Sequence, residues 1–561
     1  MKKSLSLILL APLVLSSCFE NTTLKQTSDS SSSSVSSSVN TGIKENLVDS
    51  PLDDNYRNFY EIFVSSYADS DGDGMGDLIG VDKKLSYIRD LGFTGIWLMP
   101  IFSSSSYHRY NVDDYFAIAE DLGTLDDLKK LVKDAHDLGI KVILDGVFNH
   151  SGIYNPWYSS AAISYRKKLS GTSLTDEEEN YASLYSFFPD KASADEAVSS
   201  HAISAYSRAG ANDFYYECNF DATMPELNFD SEFTYTKIQS VIDYYMAPDI
   251  GIDGFRLDAT SYYSYHNTAN NVAILTRINK MVKDNNPKGY LVGECWEGQS
   301  TIAEYYKSGA DSFFYFPGSV SGGDSYILNS YSEPVFKRNY LSGSKTLIET
   351  AGDYIPAPFL SNHDMGRTPP SNDPTSAKFI QGLLAMSTGS SFTYYGDEIG
   401  MSSSENSPSN DANYRTHYYW DDSTHSMECN DPKSAYPQVE YYKDSLTQLS
   451  DPSSLLNYVR KANLIRNSLP EVSRGQVLDS DDTDILNKSV SGNSLPLLSI
   501  NKEYKGKKIK IVINFSNTED GTYDYSSCDY EVKAVLESTP KKVMNADKKV
   551  TIPPFSMAVL A

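Results

Sequence analysis

The stretch GIDGFRLDAT, residues 251–260, reads as a short buried strand running into a turn, yet it carries Arg256 and Asp258. Side chains two apart on a strand point the same way, so both charges face one side. Removing two charges from water costs several kcal/mol that their attraction need not recover. Stability is therefore a poor reason for the pair, and a functional site at the end of a strand is a better one.

Around this run, short apolar segments alternate with helix-period ones. The apolar segments are NFYEIFVSSY (58–67), GIWLMP (95–100), KVILDGVF (141–148), GFRLDA (254–259), GYLVGE (289–294), SFFYF (312–316), YIPAPFLSN (354–362) and SFTYYG (391–396). Such alternation predicts βα units about a parallel sheet, and eight strands close a TIM barrel. Between them, TLDDLKKLVKDAHDLG (124–139) sets Leu125, Leu128, Leu131, Val132, Ala135 and Leu138 at helical spacing, with Thr124 as N-cap and Gly139 as stop. KKLSYIRDLG (83–92) repeats the pattern with Leu85, Ile88 and Leu91. The interval of roughly 150–240 is too long for a loop and predicts an inserted subdomain after the third strand, at about 150–225. Towards the C-terminus, alternating runs such as KKIKIVINFS (507–516) and KKVTIPPFSMAVL (548–560) replace helix periodicity. The expected fold is α/β: a (β/α)8 barrel over 52–480 with its insertion, then a C-terminal antiparallel β-sandwich over 481–561.

Composition narrows the partners. The 561 residues carry a net charge of −26, which argues against nucleic acid and suits an uncharged ligand. Forty-two tyrosines would suit sugar stacking or a tyrosine-rich core equally. MKKSLSLILLAPLVLSSC (1–18) has a basic start, an apolar run too short to span a bilayer and small residues before Cys18. Its end resembles a bacterial lipobox, which implies cleavage after residue 17 and lipid on Cys18; an ordinary secretory signal is the alternative. The serine-rich tract that follows, within 18–51, reads as a flexible tether. The expected location is the outer face of the cell membrane, held by that lipid alone, or the secreted state, with the chain monomeric. Cys218, Cys295, Cys429 and Cys528 are scattered, so neither a zinc site nor a disulfide scaffold is indicated.

Polar residues at the C-terminal ends of barrel strands converge on one mouth. That rule gathers Asp145 and His150 from DGVFNH (145–150), Arg256 and Asp258, Glu294 from GECW (293–296), and His363 and Asp364 from FLSNHD (359–364). Each alone has a bland reading: a helix cap for Asp145, a core histidine for His363, a surface charge for Glu294. Four coincidences at four strand ends outweigh those readings. Two carboxyls facing across a pocket suit retaining glycoside hydrolysis, at a separation of about 5–5.5 Å. Arg256 is expected to hold Asp258 ionised as a nucleophile. Glu294, beside Cys295 and Trp296, is expected to lie in a drier place that keeps it protonated as an acid.

These segments resemble, in order and with barrel spacing, the four conserved regions of the α-amylase family of glycoside hydrolases, family 13; the resemblance runs from about 52 to 560. It implies Asp258 as nucleophile, Glu294 as general acid/base and Asp364 as the third carboxylate, which binds sugar hydroxyls. It further implies that Asp145, His150, Arg256 and His363 line the reacting-sugar subsite, with Tyr110 of SYHRYNVDDY (106–115) stacking on that sugar. MPELN (224–228) resembles the family's fifth region in a form intermediate between oligo-1,6-glucosidases and neopullulanases. YRTHYYWD (414–421) only partly resembles a stretch that follows the eighth strand in the family, departing at His417, Tyr418 and Tyr419, so Arg415 is a less secure substrate contact.

DSDGDGMGD (69–77) places Asp69, Asp71, Asp73, the Met75 carbonyl and Asp77 at alternate positions of a glycine-rich loop, a way of gathering oxygen ligands around Ca²⁺. The twelfth position is Gly80 rather than glutamate, so this is no EF-hand; similar loops in the family hold a structural calcium. A solvated acidic turn is the bland alternative. By the same resemblance, Asn149 is a weaker candidate ligand for a second ion. The N-terminal segment and the family resemblance together imply a secreted, lipid-anchored α-amylase-like hydrolase of α-1,4-glucans or maltooligosaccharides. The rivals are an exo-acting α-glucosidase or oligo-1,6-glucosidase, a transglycosylase, and a non-catalytic glucan-binding surface lipoprotein.

Overall fold

The computed structural model describes residues 41–210, 214–318, 343–352 apart from 344, 345 and 348, 354–367, 373–402, 411–421, 442–478, 485–490 and 493–561. The signal segment 1–17, Cys18, the serine tract to residue 40 and Cys429 lie outside the described residues. Seven parallel strands form one ladder in the order Ser312–Phe313, Tyr290–Gly293, Gly254–Leu257, Lys141–Gly146, Gly95–Leu98, Asn58–Ile62 and Ser391–Tyr394. Parallel bridges Phe314–Ala357 and Phe359–Phe392 place residues 357–359 between the two ends of that order. The ladder thereby closes into eight staves, one for each apolar run of the sequence. The seventh stave pairs by single bridges because Pro356 and Pro358 remove two ladder donors.

Period-two alternation divides each stave between two cores. Phe59, Trp97, Ile143, Tyr290, Val292, Phe314, Phe359 and Phe392 fill the barrel interior, with Phe59 stacked on Phe392 at 4.7 Å and on Tyr290 at 5.0 Å. Their neighbours Tyr60, Ile96, Val142, Phe255 and Leu291 face the helical ring. Glu61, Asp145 and Arg256 fall on the interior side, one step above the apolar layer. Gly254 admits this register: at φ 147° a Cβ there would lie 1.9 Å from the Tyr290 carbonyl oxygen.

The helix Leu125–Asp137 is capped as expected by Thr124, in a reciprocal box with Asp127, worth about 1 kcal/mol. It buries Leu128, Leu131, Val132 and Ala135 against the barrel. The helix Leu78–Asp90 begins five residues before the expected 83, because Asp77 accepts from Gly80 N and caps it there. The acidic loop is thus joined directly to a helix start.

After the second stave, Phe102–Ser104 and Val112–Ile118 form an antiparallel hairpin that the sequence reading missed. Its signal is hidden by the polar run SSSSYHRYN and by two register shifts in the pairing. The insertion consists of helices Pro156–Leu169, Asp176–Ala182 and Lys191–Ser199 with a three-stranded antiparallel sheet. Bridges His150–Glu226 and Tyr185–Leu227 tie its return to its start.

The C-terminal part holds two antiparallel sheets packed through Leu497, Val512, Tyr523, Val550, Ile552 and Leu560. Its pairing begins at Gln476–Val477, ahead of the expected 481. The segment 548–560 is two strands rather than one. Lys549–Ile552 belongs to the small sheet and Met557–Leu560 to the large one, and Pro553 and Pro554 break the ladder between them.

Candidate active site

The parallel register sets Asp145 of the third stave beside Arg256 of the fourth. Arg256 is 1% exposed. Its Nη1 lies 2.8 Å from both Asp145 Oδ1 and Asp258 Oδ1, and its Nη2 lies 2.8 Å from Glu294 Oε2. One guanidinium therefore grips three carboxylates from three adjacent staves, the planar fork geometry that arginine alone supplies. Asp258 and Glu294 sit on its two arms and line the same cleft, of about 530 Å³.

Glu294 accepts from Arg256, from Trp296 Nε1 at 2.7 Å and from Ala259 N at 3.1 Å. Ala259 holds φ 50°, a strained value for a residue with a Cβ, and the turn it makes presents its N–H to Glu294. Glu294 is itself 5% exposed beside the buried Cys295, in keeping with the expected dry surroundings, while Trp296 is 45% exposed and acts as a hydrogen-bond donor.

The expectation for Asp258 is corrected. Burial pushes its carboxyl up to about 8, with Arg256 opposing and Glu294, Asp145 and Asp364 adding to the rise. A single arginine shared among three acids does not outweigh burial together with their mutual repulsion. Burial also raises Asp145, again against Arg256.

A second cluster centres on His363, which is fully buried. Its Nδ1 lies 2.6 Å from Glu61 Oε1, and its Nε2 lies 3.0 Å from Asp364 Oδ2 and 2.8 Å from the Tyr110 hydroxyl. Burial alone would lower its pKa, but Asp364 and Glu61 hold it up, to about 9. Burial would likewise raise Asp364, yet His363, Arg415 and Arg256 keep it well below the usual carboxylate range. Arg415 Nη2 lies 2.9 Å from Asp364 Oδ1 and its Nε donates to the His363 carbonyl at 3.1 Å. The structure therefore places Arg415 within the cleft despite the divergent segment around it.

Tyr110 reaches the site from the hairpin loop, next to Arg109 at φ 61°. Its hydroxyl donates to Asp145 Oδ2 at 3.0 Å, joining the two clusters. His150 lines the cleft and its Nε2 lies 3.2 Å from the Tyr110 carbonyl. Burial lowers its pKa to about 4, which leaves a neutral ring. Asn149 and the buried Glu226 of MPELN bond to each other. Glu61 is the site-adjacent residue that sequence reading passed over. The same signal that drew attention to Arg256, a charge inside a buried run, was present in NFYEIF.

In the acidic loop, ligand oxygens of Asp69, Asp71 and Asp77 lie within 4.8 Å of one another. Asp69 accepts from Asp71 N, Gly72 N and Gly74 N, while Asp73 accepts from Met75 N at 2.7 Å and stands outside the group. The neighbouring ammonium of Lys83 contacts the Ser70 carbonyl. Three hard oxygen donors held together in this way fit a divalent cation. Cys218, Cys295 and Cys528 are free thiols, and no helix among the described residues is long and apolar enough to cross a membrane.

Residues 61–475 match the family described as alpha amylase, catalytic domain. Alpha-amylase 3 of Dictyoglomus thermophilum is 31% identical, over 86% of this chain and 88% of that one. The solved structure of Eubacterium rectale Amy13B aligns with a TM-score of 0.81 and 33% identity, covering 92% of this chain and 97% of that one. A 4-alpha-glucanotransferase of Thermotoga neapolitana is 28% identical, over 57% of this chain and 67% of that one. With the matched segment reaching every stave and holding both clusters, the chain belongs to the alpha-amylase family of glycoside hydrolases.

Proposed function

We propose that the cleft hydrolyses α-1,4-glucosidic bonds of starch-type glucans or maltooligosaccharides with retention of configuration. The observation that carries this reading is the placement of Asp258 and Glu294 on two arms of one buried guanidinium in a single cleft. Asp258 attacks the anomeric carbon and Glu294 protonates the departing oxygen; Glu294 then takes a proton from the water that releases the sugar. This chemistry requires Glu294 to deliver a proton to the glycosidic oxygen while Asp258 faces the sugar ionised. Asp364, kept charged by His363 and Arg415, and Tyr110, Asp145 and the neutral His150 bind the reacting sugar.

NMR of the first products from maltoheptaose tests the proposal. The α-anomer is expected to appear first, as products shorter than the substrate. A β-anomer would exclude retention, and products longer than maltoheptaose would favour the glucanotransferase reading that one relative supports. Release of glucose alone would favour the exo-acting α-glucosidase.

Asp69, Asp71 and Asp77, with the Met75 carbonyl, would hold Ca²⁺ as a structural ion at the start of the Leu78–Asp90 helix. Chelation with EDTA is expected to lower the Tm by at least a few degrees, since an ion bound only by the folded chain stabilises it by about 2.7 kcal/mol at a hundredfold excess over Kd. Calcium is expected to restore the Tm of the parent but not of Asp69→Asn. A Tm indifferent to EDTA would rule the ion out. The N-terminal segment is read as a lipoprotein signal, which would anchor a monomeric enzyme to the outer face of the membrane through Cys18.

A further inference from the structure

We infer that Glu61, on the first stave, is a positioning residue that fixes His363 as a two-sided N–H donor suspended between itself and Asp364. The inference rests on the reading of Asp364 as a sugar-binding carboxylate and deepens it. Glu61 is 1% exposed and stands between Tyr60 and Ile62 in a strand that is buried throughout. A carboxylate so placed is costly unless it is paired. Its carboxylate meets the imidazole of a residue 302 positions further on, at 2.6 Å.

The groups facing His363 come from every neighbouring element. Glu61 lies on one ring nitrogen; Asp364 and the Tyr110 hydroxyl lie on the other. Asp145 is reached through Tyr110, Arg415 holds the backbone carbonyl, and the Trp97 ring meets the imidazole edge-on at 5.6 Å. Arg256 adds a positive charge nearby, already shared among Asp145, Asp258 and Glu294. Carboxylates at both ends of the ring favour the form with a proton on each nitrogen. A neutral ring can donate from only one nitrogen. If that proton went to Glu61, Nε2 would become an acceptor and confront Asp364 with a lone pair. The cationic ring instead donates to both, which keeps Asp364 charged and fixed in direction.

Glutamine at position 61 keeps the shape and can accept or donate to Nδ1, but it cannot supply the charge. The ring of Glu61→Gln is therefore expected to lose its second proton at lower pH. The donor exists below the ring pKa, and that pKa stands near 9 with both carboxylates in place. Removing one carboxylate lowers it, so the high-pH limb of kcat/KM moves downward. In Glu61→Gln that limb is expected to shift by at least about one unit and kcat/KM at pH 8.5 to fall by about threefold or more. Glu61→Asp, which retains the charge, is expected to keep most of the parent limb.

The direct readout is the ¹⁵N signal of the His363 ring, assigned by its loss in His363→Asn. It is expected to report a mostly cationic ring in the parent at pH 8.5 and a mostly neutral one in Glu61→Gln. A neutral ring in the parent would overturn the inference whether or not the variant folds, as would a folded Glu61→Gln with the parent's pH profile and ring signal. The parent and Asp258→Asn are assayed alongside. If Asp258→Asn keeps full activity, the functional reading falls, and the ring signal still judges Glu61 separately.

Discussion

Asp258→Asn is expected to lower kcat/KM on maltoheptaose by on the order of 10⁴-fold or more, the scale seen when a covalent nucleophile is removed. The amide fills the same volume and can accept from Arg256 Nη1, which lies 2.8 Å from Asp258 Oδ1 in the parent. The cleft, the Arg256 contacts to Asp145 and Glu294 and the melting behaviour should therefore persist. Binding of maltooligosaccharide is expected to survive for the same reason, because Asp364, Arg415 and Tyr110 are untouched. Steady-state kinetics and calorimetric binding on the same preparation check both halves. A variant as active as the parent would revive the non-catalytic glucan-binding reading or require another nucleophile.

Glu294→Gln is expected to separate two steps that the parent performs with one residue. Natural glucans need their leaving oxygen protonated, so kcat should drop by about 10²–10⁴-fold, the usual scale for a general acid. A glucosyl fluoride needs no such proton, and its first step should be far less impaired. Release of the sugar still requires a base to activate water, and a glutamine supplies none. The covalent intermediate should then accumulate. Trp296 Nε1 donates to one Glu294 oxygen while Ala259 N and Arg256 Nη2 face the other, so a glutamine keeps its acceptor on the Ala259 and Arg256 side and gives up the Trp296 bond. Rapid-quench measurement of fluoride release, with a burst followed by slow turnover, reports the separation.

The fold could be read in the sequence wherever one local rule operated alone. Thr124 capped its helix because box, apolar stripe and glycine stop agreed at one place. Eight apolar runs became eight staves, although the seventh is held only by bridges between prolines. The hairpin over 102–118 escaped because serines and bulges hide its alternation. The strand swap at Pro553–Pro554 escaped because an apolar run looks alike whether it serves one sheet or two.

The site divides in the same way. Asp145, Arg256, Asp258, Glu294, His363 and Asp364 stand at strand ends, and the barrel rule collects them without knowledge of distance. Their charge states were not legible, because they depend on counts across staves. Arg256 looked like a private partner for Asp258 until the register placed Asp145 and Glu294 on the same guanidinium. Glu61 stayed hidden because its partner lies on the far side of the chain, at His363. Arg415 was underrated for the opposite reason, a divergent local motif around a side chain that reaches Asp364 regardless.

The account turns on a bond between Asp258 and the sugar. The measurement that reaches it most directly is peptide mapping by mass spectrometry of Glu294→Gln after brief incubation with α-maltosyl fluoride. The account predicts a maltosyl adduct on the peptide that contains Asp258, localised to that carboxylate by fragmentation. An adduct on Asp145 or Asp364, or fluoride released in a burst with no adduct on the chain, would contradict it.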